Sequence, residues 1–133
     1  MITQRGSVTV ELVLLTPVLM VLVLFGVYAG RASEALIQVR HAADQAARAA
    51  SKGSRSEIET TALEVAERTL RNSGASCTQT SIETSIVQQG QDPAVLVTVE
   101  CTIKNTGLAL LGTTPRVVRA SSLEVLDRWR VDT

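Results

Sequence analysis

Aromatic side chains are nearly missing from this chain of 133 residues, which has one Phe, one Tyr and one Trp. Hydrophobic residues nevertheless make up 45% of the sequence. A soluble core of this size usually contains more rings, so we expect the apolar residues to be concentrated in one segment.

A net charge of either sign is also lacking, because 13 basic and 13 acidic side chains cancel. No segment combines a basic stripe with interleaved aromatic residues. Nucleic-acid binding needs such a positive surface, so we expect no nucleic-acid partner.

The residues of catalytic and metal sites are scarce. His41 is the only histidine and is predicted to be a solvated helix residue, so neither a Ser-His-Asp nor a Cys-His arrangement is indicated. Two cysteines and one histidine match no zinc spacing, and no phosphate-binding glycine loop is present. We predict no enzyme activity, no metal and no cofactor. Four further acidic residues are expected on a solvated helix face: Glu57, Glu59, Glu64 and Glu67.

The apolar residues are concentrated in residues 12–30, which contain no charged residue. A membrane-spanning helix needs roughly 20 such residues. We therefore predict a retained transmembrane helix at 7–30, after a leader at 1–6. The alternative is a cleaved secretory signal, but the run is long for one and the following segment stays helical in pattern.

The amino terminus is predicted to be cytoplasmic and the rest of this single-pass protein extracytoplasmic. Arginines near the ends of the span favour the opposite orientation, but large following domains translocate largely regardless of charge. Cys77 and Cys101 are the only cysteines, and if they pair they indicate an oxidising compartment.

Residues 31–51 continue the helical pattern outside the membrane, with an alanine-rich stripe at three- and four-residue spacing. The stripe either covers the protein's own sheet or packs against neighbouring copies of the helix. These two interpretations are compatible along different lengths.

Residues 52–133 are predicted to form a small α+β domain. After a linker at 52–56, a second helix is predicted, with Ser54 and Glu57 in a capping-box pattern and Gly74 as its terminator. Residues 77–87 and 95–103 are expected to form a hairpin. A third strand follows, on which Val117, Leu123, Val125, Trp129 and Val131 share one face; a terminal amphipathic helix is the alternative.

A disulfide between Cys77 and Cys101 is predicted from the hairpin register. Placing the two cysteines opposite each other centres the turn on residue 89, among the turn-forming residues 88–93. The fold class is therefore α+β: a long amino-terminal transmembrane helix, extending into a short second helix packed on an antiparallel sheet of about three strands, with one disulfide.

Three features of the apolar helix interrupt its uniform apolar pattern. Glu11 places a carboxylate at the start of the run, which favours either a role at the helix amino terminus or a partner. Gly26 and Gly30 form a G-x-x-x-G pattern that permits close helix approach. Pro17 removes one helical hydrogen bond near Val13, which predicts a kink or a loosened turn.

The leader ending in Arg5-Gly6, a small residue and then Glu11 at the head of an apolar helix resembles the processing site of type IV pilins. The six-residue leader and the AARAAS stretch at 46–51 resemble TadE-like pseudopilins of tight-adherence (Flp) pili. The layout of the whole chain is similar to that family, although aromatics after the apolar run are fewer. The subfamily stays open between TadE, TadF and competence-type pseudopilins.

The resemblance implies cleavage between Gly6 and Ser7 by a membrane prepilin peptidase, with Glu11 used in recognition or subunit alignment. The expected function is a minor pilin-like subunit or assembly factor of a tight-adherence or type IV-like pilus. Its expected partners are the peptidase, other pilin and pseudopilin subunits, the membrane platform of the pilus machine and the lipid bilayer. The alternative is a membrane-tethered extracytoplasmic binding domain that never joins a pilus.

Overall fold

The computed structural model describes residues 7–103 and 114–127. Five elements follow in chain order: α1 (Ser7–Ser51), α2 (Ile58–Asn72), β1 (Cys77–Gln89), β2 (Asp92–Ile103) and β3 (Arg116–Val125). The chain divides into two compact units, Met1–Ser33 and Glu34–Thr133. The predicted α+β fold with a long first helix, a short second helix and a three-stranded antiparallel sheet is confirmed.

The alanine stripe of α1 is part of the core of the second unit. Ala35, on the same helix face, is 6% exposed, whereas Leu36, also part of the predicted stripe, is 36% exposed. Six residues of the stripe are fully buried together with residues of α2 and the sheet: Val39, Ala42, Ala43, Ala46, Ala47 and Ala50. The interpretation that the stripe covers the protein's own sheet is confirmed for these residues. Short side chains fit at these positions because a close-packed interior leaves no space for larger ones.

Helix α2 ends where the sequence predicts but begins later than the capping box implies. Gly74, at φ +69°, lies just past the helix. The Gly74 N–H donates to the carbonyl of Arg71 and the Ala75 N–H to that of Leu70, which together form a Schellman motif.

The capping-box prediction at the start of α2 is wrong. Glu57 itself is the N-cap, with no side-chain cap hydrogen bond. The hydroxyl of Ser54 donates instead to the Glu57 carboxylate at 2.7 Å, so both side chains are occupied with each other.

The sheet has the order β1-β2-β3, and both pairings are antiparallel. A two-residue turn, Gly90-Gln91, joins β1 to β2, and Gly90 has φ +67°. Glycine with positive φ at the first central position is what a type II′ hairpin turn requires. The central strand β2 is buried on its core face by Val95, Val97, Val99 and Cys101.

The predicted hairpin register is wrong, although the disulfide is confirmed. Cys77 lies opposite Ile103 and Thr80 opposite Cys101, because the turn is centred between residues 90 and 91 instead of on residue 89, and an irregularity between Cys77 and Gln79 then shifts the register by one residue. Both strands are therefore longer than expected. The Cys77–Cys101 bridge joins residues that are not directly opposite, with their Cα atoms 5.3 Å apart.

The third strand is confirmed for Arg116–Val125, and the alternative of a helix is excluded there. Val117, Leu123 and Val125 share one face, and that face points away from the core and is exposed. Val118 and Leu126 are buried on the other side. Trp129 and Val131 lie outside the described residues.

Beyond β3 the chain is held at the end of α1. The Leu126 N–H donates to the carbonyl of Pro93 at 2.9 Å, and the Asp127 N–H to that of Ser51 at 3.4 Å. An ion pair of 3.4 Å between Arg48 Nε of α1 and Glu124 Oε1 of β3 also joins the strand to the helix.

Candidate assembly helix

The amino-terminal part of α1 is a helix whose apolar side chains have no cover within the chain. From Val8 to Val27 every large hydrophobic residue is between 50% and 68% exposed. Within the described residues, α1 is the one helix long and apolar enough to cross a membrane. In water this surface would be strongly unfavourable, so it is suited to a bilayer or to other helices.

Glu11 lies on this helix one turn after Ser7, the first described residue, and is exposed. Among the described residues, no hydrogen bond or ion pair reaches its carboxylate. A carboxylate near hydrocarbon is costly unless it is neutralised or paired, so this side chain is suited to an outside cation. Gly6, the other half of the predicted processing site, lies outside the described residues.

Thr16 and Pro17 alter the hydrogen bonding of the turn that follows Glu11. Thr16 Oγ1 donates to the carbonyl of Leu12 at 2.7 Å. Pro17 has no N–H, so the carbonyl of Val13 does not receive the usual helical hydrogen bond. Helix α1 is assigned continuously through this position, and the predicted kink stays a prediction.

Gly26 and Gly30 are one turn apart and exposed. A Cβ atom added at either position would meet nothing within 4 Å. No contact inside the described chain therefore requires glycine there. If the two residues have a packing role, the close neighbour must come from another molecule.

The second unit offers polar groups on its surface. His41 and the four acidic residues Glu57, Glu59, Glu64 and Glu67 are exposed on the helices, as predicted. A shallow groove of about 260 Å³ lies between the end of α2 and β1, where Glu67 and Arg71 line it beside Cys77. Among the described residues, no three His, Cys, Asp or Glu side chains are grouped to hold a metal ion.

The structure brings together one pair of the predicted site residues, the two cysteines. Glu11 and the glycine pair lie far apart on one helix, since 15 residues span roughly 22 Å. Sequence reasoning missed the outer edge of β1, a strand of 13 residues with Glu83 as its one charged residue. That shortage of charge was visible in the sequence and indicates an edge open to pairing.

Residues 6–48 of the chain, 43 of its 133 residues, match the family described as TadE-like protein. The segment contains Gly6, Ser7, Glu11, Gly26 and Gly30 and extends into the alanine stripe; α2, the sheet and the disulfide lie outside it. No curated protein and no solved structure matches the chain.

Proposed function

We propose, from the match of residues 6–48 to the TadE-like family, that the protein has a pseudopilin-like role in the tight-adherence pilus, as a minor pilin-like subunit or assembly factor. It is anchored by α1, processed after Gly6 and assembled through its amino-terminal helix. The observation that carries the proposal is the coincidence of the family match with the one uncovered apolar helix.

The first supporting step concerns the bilayer. The exposed apolar surface of α1 would be covered by lipid before assembly and by neighbouring helices after it. Because lipid tails are as apolar as leucine, the exchange has no hydrophobic driving force of its own. Polar groups and close backbone packing must therefore determine which helices associate.

Glu11 supplies the polar group. Cleavage after Gly6 leaves a new α-amine on Ser7, which lies at i−4 on the same helix face as Glu11. That amine, in the same chain or a neighbouring one, neutralises the carboxylate in a medium where an unpaired charge costs about 2.5–3.5 kcal/mol. The pairing fixes the axial position of one subunit against the next.

The compartment of the second unit follows from its disulfide. Cystines persist in oxidising spaces, so the Cys77–Cys101 bridge supports an extracytoplasmic location with the amino terminus in the cytoplasm. The role is structural, without catalysis or cofactor. Its partners are a prepilin peptidase, other pilin and pseudopilin subunits and the membrane platform of the machine.

Processing is tested by the mass of the mature amino terminus in the protein purified from membranes. The expected mature chain starts at Ser7. Gly6→Leu should block cleavage, because a bulky residue replaces the small one at the scissile bond. Gly26→Leu, the same change inside the helix, should leave cleavage intact. A chain that starts at Met1 would contradict the proposal and favour the membrane-tethered binding domain.

Assembly is tested with Glu11→Gln, which removes the charge but keeps the size of the side chain. Recovery of the subunit with sheared pili should fall about tenfold or more, since the lost pairing is worth several kcal/mol. Glu59→Gln on the exposed surface of α2 is the matched control. Normal recovery of the Glu11→Gln protein would refute the role of this carboxylate.

A further inference from the structure

The sheet has two open edges that differ in chemistry. In the described part of the chain, no strand pairs with the outer edge of β1 or of β3. β1 contains 13 residues, one charge and no proline, whereas the ten residues of β3 include Arg116, Arg119 and Glu124. Natural proteins usually protect an edge with several charges, prolines or short strands, whereas β1 is long and has Glu83 as its one charge.

We propose that β3 of one copy of this chain pairs in parallel with β1 of the next copy, with Arg119 beside Glu83. The resulting contact is heterologous, so it repeats from copy to copy and builds a row rather than a closed dimer. It goes beyond the helix-based assembly proposed above and rests on it only for the common direction of the copies in one membrane.

The direction of pairing follows from the topology. Both β1 and β3 run antiparallel to β2, so they run parallel to each other within one copy. Copies anchored in one membrane by the same helix have the same orientation. A neighbour related by translation therefore brings its β1 alongside β3 in parallel.

The backbone groups of the two edges are compatible. The hydrogen bond from Leu126 N–H to Pro93 O shows that odd residues of β2 face β3. The alternation of antiparallel ladders then leaves even residues of β1 and odd residues of β3 with outward N–H and C=O groups. In a parallel pair, one of two opposed residues directs its N–H and C=O groups to the other strand, and the other residue directs them away. Both edges are therefore matched when an even residue of β1 lies opposite an even residue of β3, or an odd residue opposite an odd one; we call these the even registers.

The side chains select one of the even registers. Glu83 and Arg119 both lie on the outer face of the sheet, where Arg119 already forms an ion pair with Glu100 of its own chain. In the proposed register this cation lies between Glu100 and Glu83 of the next copy, and opposite charges on paired strands stabilise the contact. The same register places Val118 beside Ile82 on the core face and Leu123 beside Val87 on the outer face. Ile82 and Val87 are half-buried and Leu123 is 39% exposed, so the contact would cover apolar surface that the single chain leaves open.

The test is disulfide cross-linking of the full chain in membranes, with Ser85→Cys and Ser121→Cys in one protein. These positions are opposed between copies in the proposed register. Within one copy they lie on strands separated by β2, about 9–10 Å apart or more, which is beyond the reach of a disulfide. Mild oxidation should therefore give a ladder of dimers, trimers and larger species.

Three comparisons make the test decisive. Each single cysteine variant should give no ladder, because its counterpart is missing. Glu83→Lys in the double-cysteine protein should reduce cross-linking about fivefold, since attraction becomes repulsion. Glu59→Lys, an equal change of charge on α2, should leave cross-linking unchanged.

Absence of a ladder from the double-cysteine protein would overturn the inference, as would a ladder insensitive to Glu83→Lys. If cross-linking were stronger with Glu83→Cys and Ser121→Cys than with Ser85→Cys and Ser121→Cys, the proposed register would be overturned. The amino-terminal mass and the recovery with sheared pili are measured separately, so failure of the sheet contact is distinguishable from failure of the helix-based function.

Discussion

At the scale of single residues, Gly74 connects helix, sheet and disulfide. It turns the chain out of α2 in the left-handed conformation, and β1 begins three residues later at Cys77. The two hydrogen bonds of the Schellman motif satisfy carbonyls at the helix end. The direction in which the first cysteine enters the sheet therefore depends on this residue.

Gly74→Ala should lower the free energy of unfolding by about 1–2 kcal/mol, the cost of a Cβ in the left-handed region. The added Cβ would meet nothing within 4 Å, so this cost is one of backbone conformation alone. Gly53→Ala is the control, because its φ is not positive and its Cβ would make only an ordinary contact of 3.6 Å with Ala50 O. Urea unfolding of the detergent-solubilised protein measures both; equal stabilities would contradict the prediction.

Replacing both cysteines by alanine should cost about 2–4 kcal/mol of unfolding free energy, because the bridge closes a loop of 24-residue separation in the unfolded chain. Thermal unfolding by circular dichroism, with and without reductant, is the measurement. Reductant should lower the melting temperature of the parent protein and leave the double variant unchanged. A parent protein insensitive to full reduction would contradict the assignment.

The cysteine pairing could be predicted from the sequence, but its register could not. Two cysteines in strands on either side of a turn have one way to pair. The register depends on which of the turn-forming residues 88–93 lie at the centre of the turn, and the sequence leaves that choice open. The irregularity next to Cys77 also leaves no mark in the residue pattern, because Thr, Gln and Ser at 78–81 are equally suited to either face.

At the scale of secondary-structure elements, the alanine stripe determines how α1 packs. Ala46 is fully buried on the core face of α1. Ala46→Leu should destabilise the second unit by about 1–3 kcal/mol, since a close-packed interior has no space for the added carbons. Gln45→Leu, on the exposed face of the same turn, is the control and should change the unfolding free energy by less than about 0.5 kcal/mol in the same urea titration.

A stability of Ala46→Leu equal to that of the parent would show that this part of the helix can move away from the core. It would then favour packing of the stripe against other chains.

The ends of the two helices were predictable because they depend on local chemistry, as at Ser51 and Gly74, whereas the start of α2 was not. The outward face of β3 was harder, because apolar residues occur at both alternating positions around Val117 and Val118. Only the pairing of Cys101 with Val118 across the sheet decides which set is buried. Similarly, the hydroxyl of a capping-box serine can donate to the glutamate carboxylate itself, as the hydroxyl of Ser54 does to Glu57.

At the scale of the whole molecule, the division into two units separates anchoring from folding. All the buried hydrophobic residues described begin at Ala35, and none belongs to the first unit. Glu11, Gly26 and Gly30, the residues predicted to act in recognition and helix packing, were identifiable from the sequence as types and spacings. Their packing geometry was not, because no contact within the described residues fixes it.

A fragment that begins at Glu34 should therefore fold in water without detergent. We expect the disulfide to form and the melting temperature to match that of the full chain within a few degrees. Circular dichroism and mass measurement after alkylation would check both. Aggregation of an oxidised fragment would show that residues before Glu34 contribute to the core.

The alanine stripe also has a mechanical consequence. Its buried residues run from Ala35 to Ala50, so about four turns of α1 are joined to the core. Tension applied along the helix from its amino-terminal end would load these small contacts together as shear, instead of peeling them apart one at a time. The hydrogen bond between Asp127 and Ser51 and the Arg48–Glu124 ion pair lie at the far end of the stripe and would share this load.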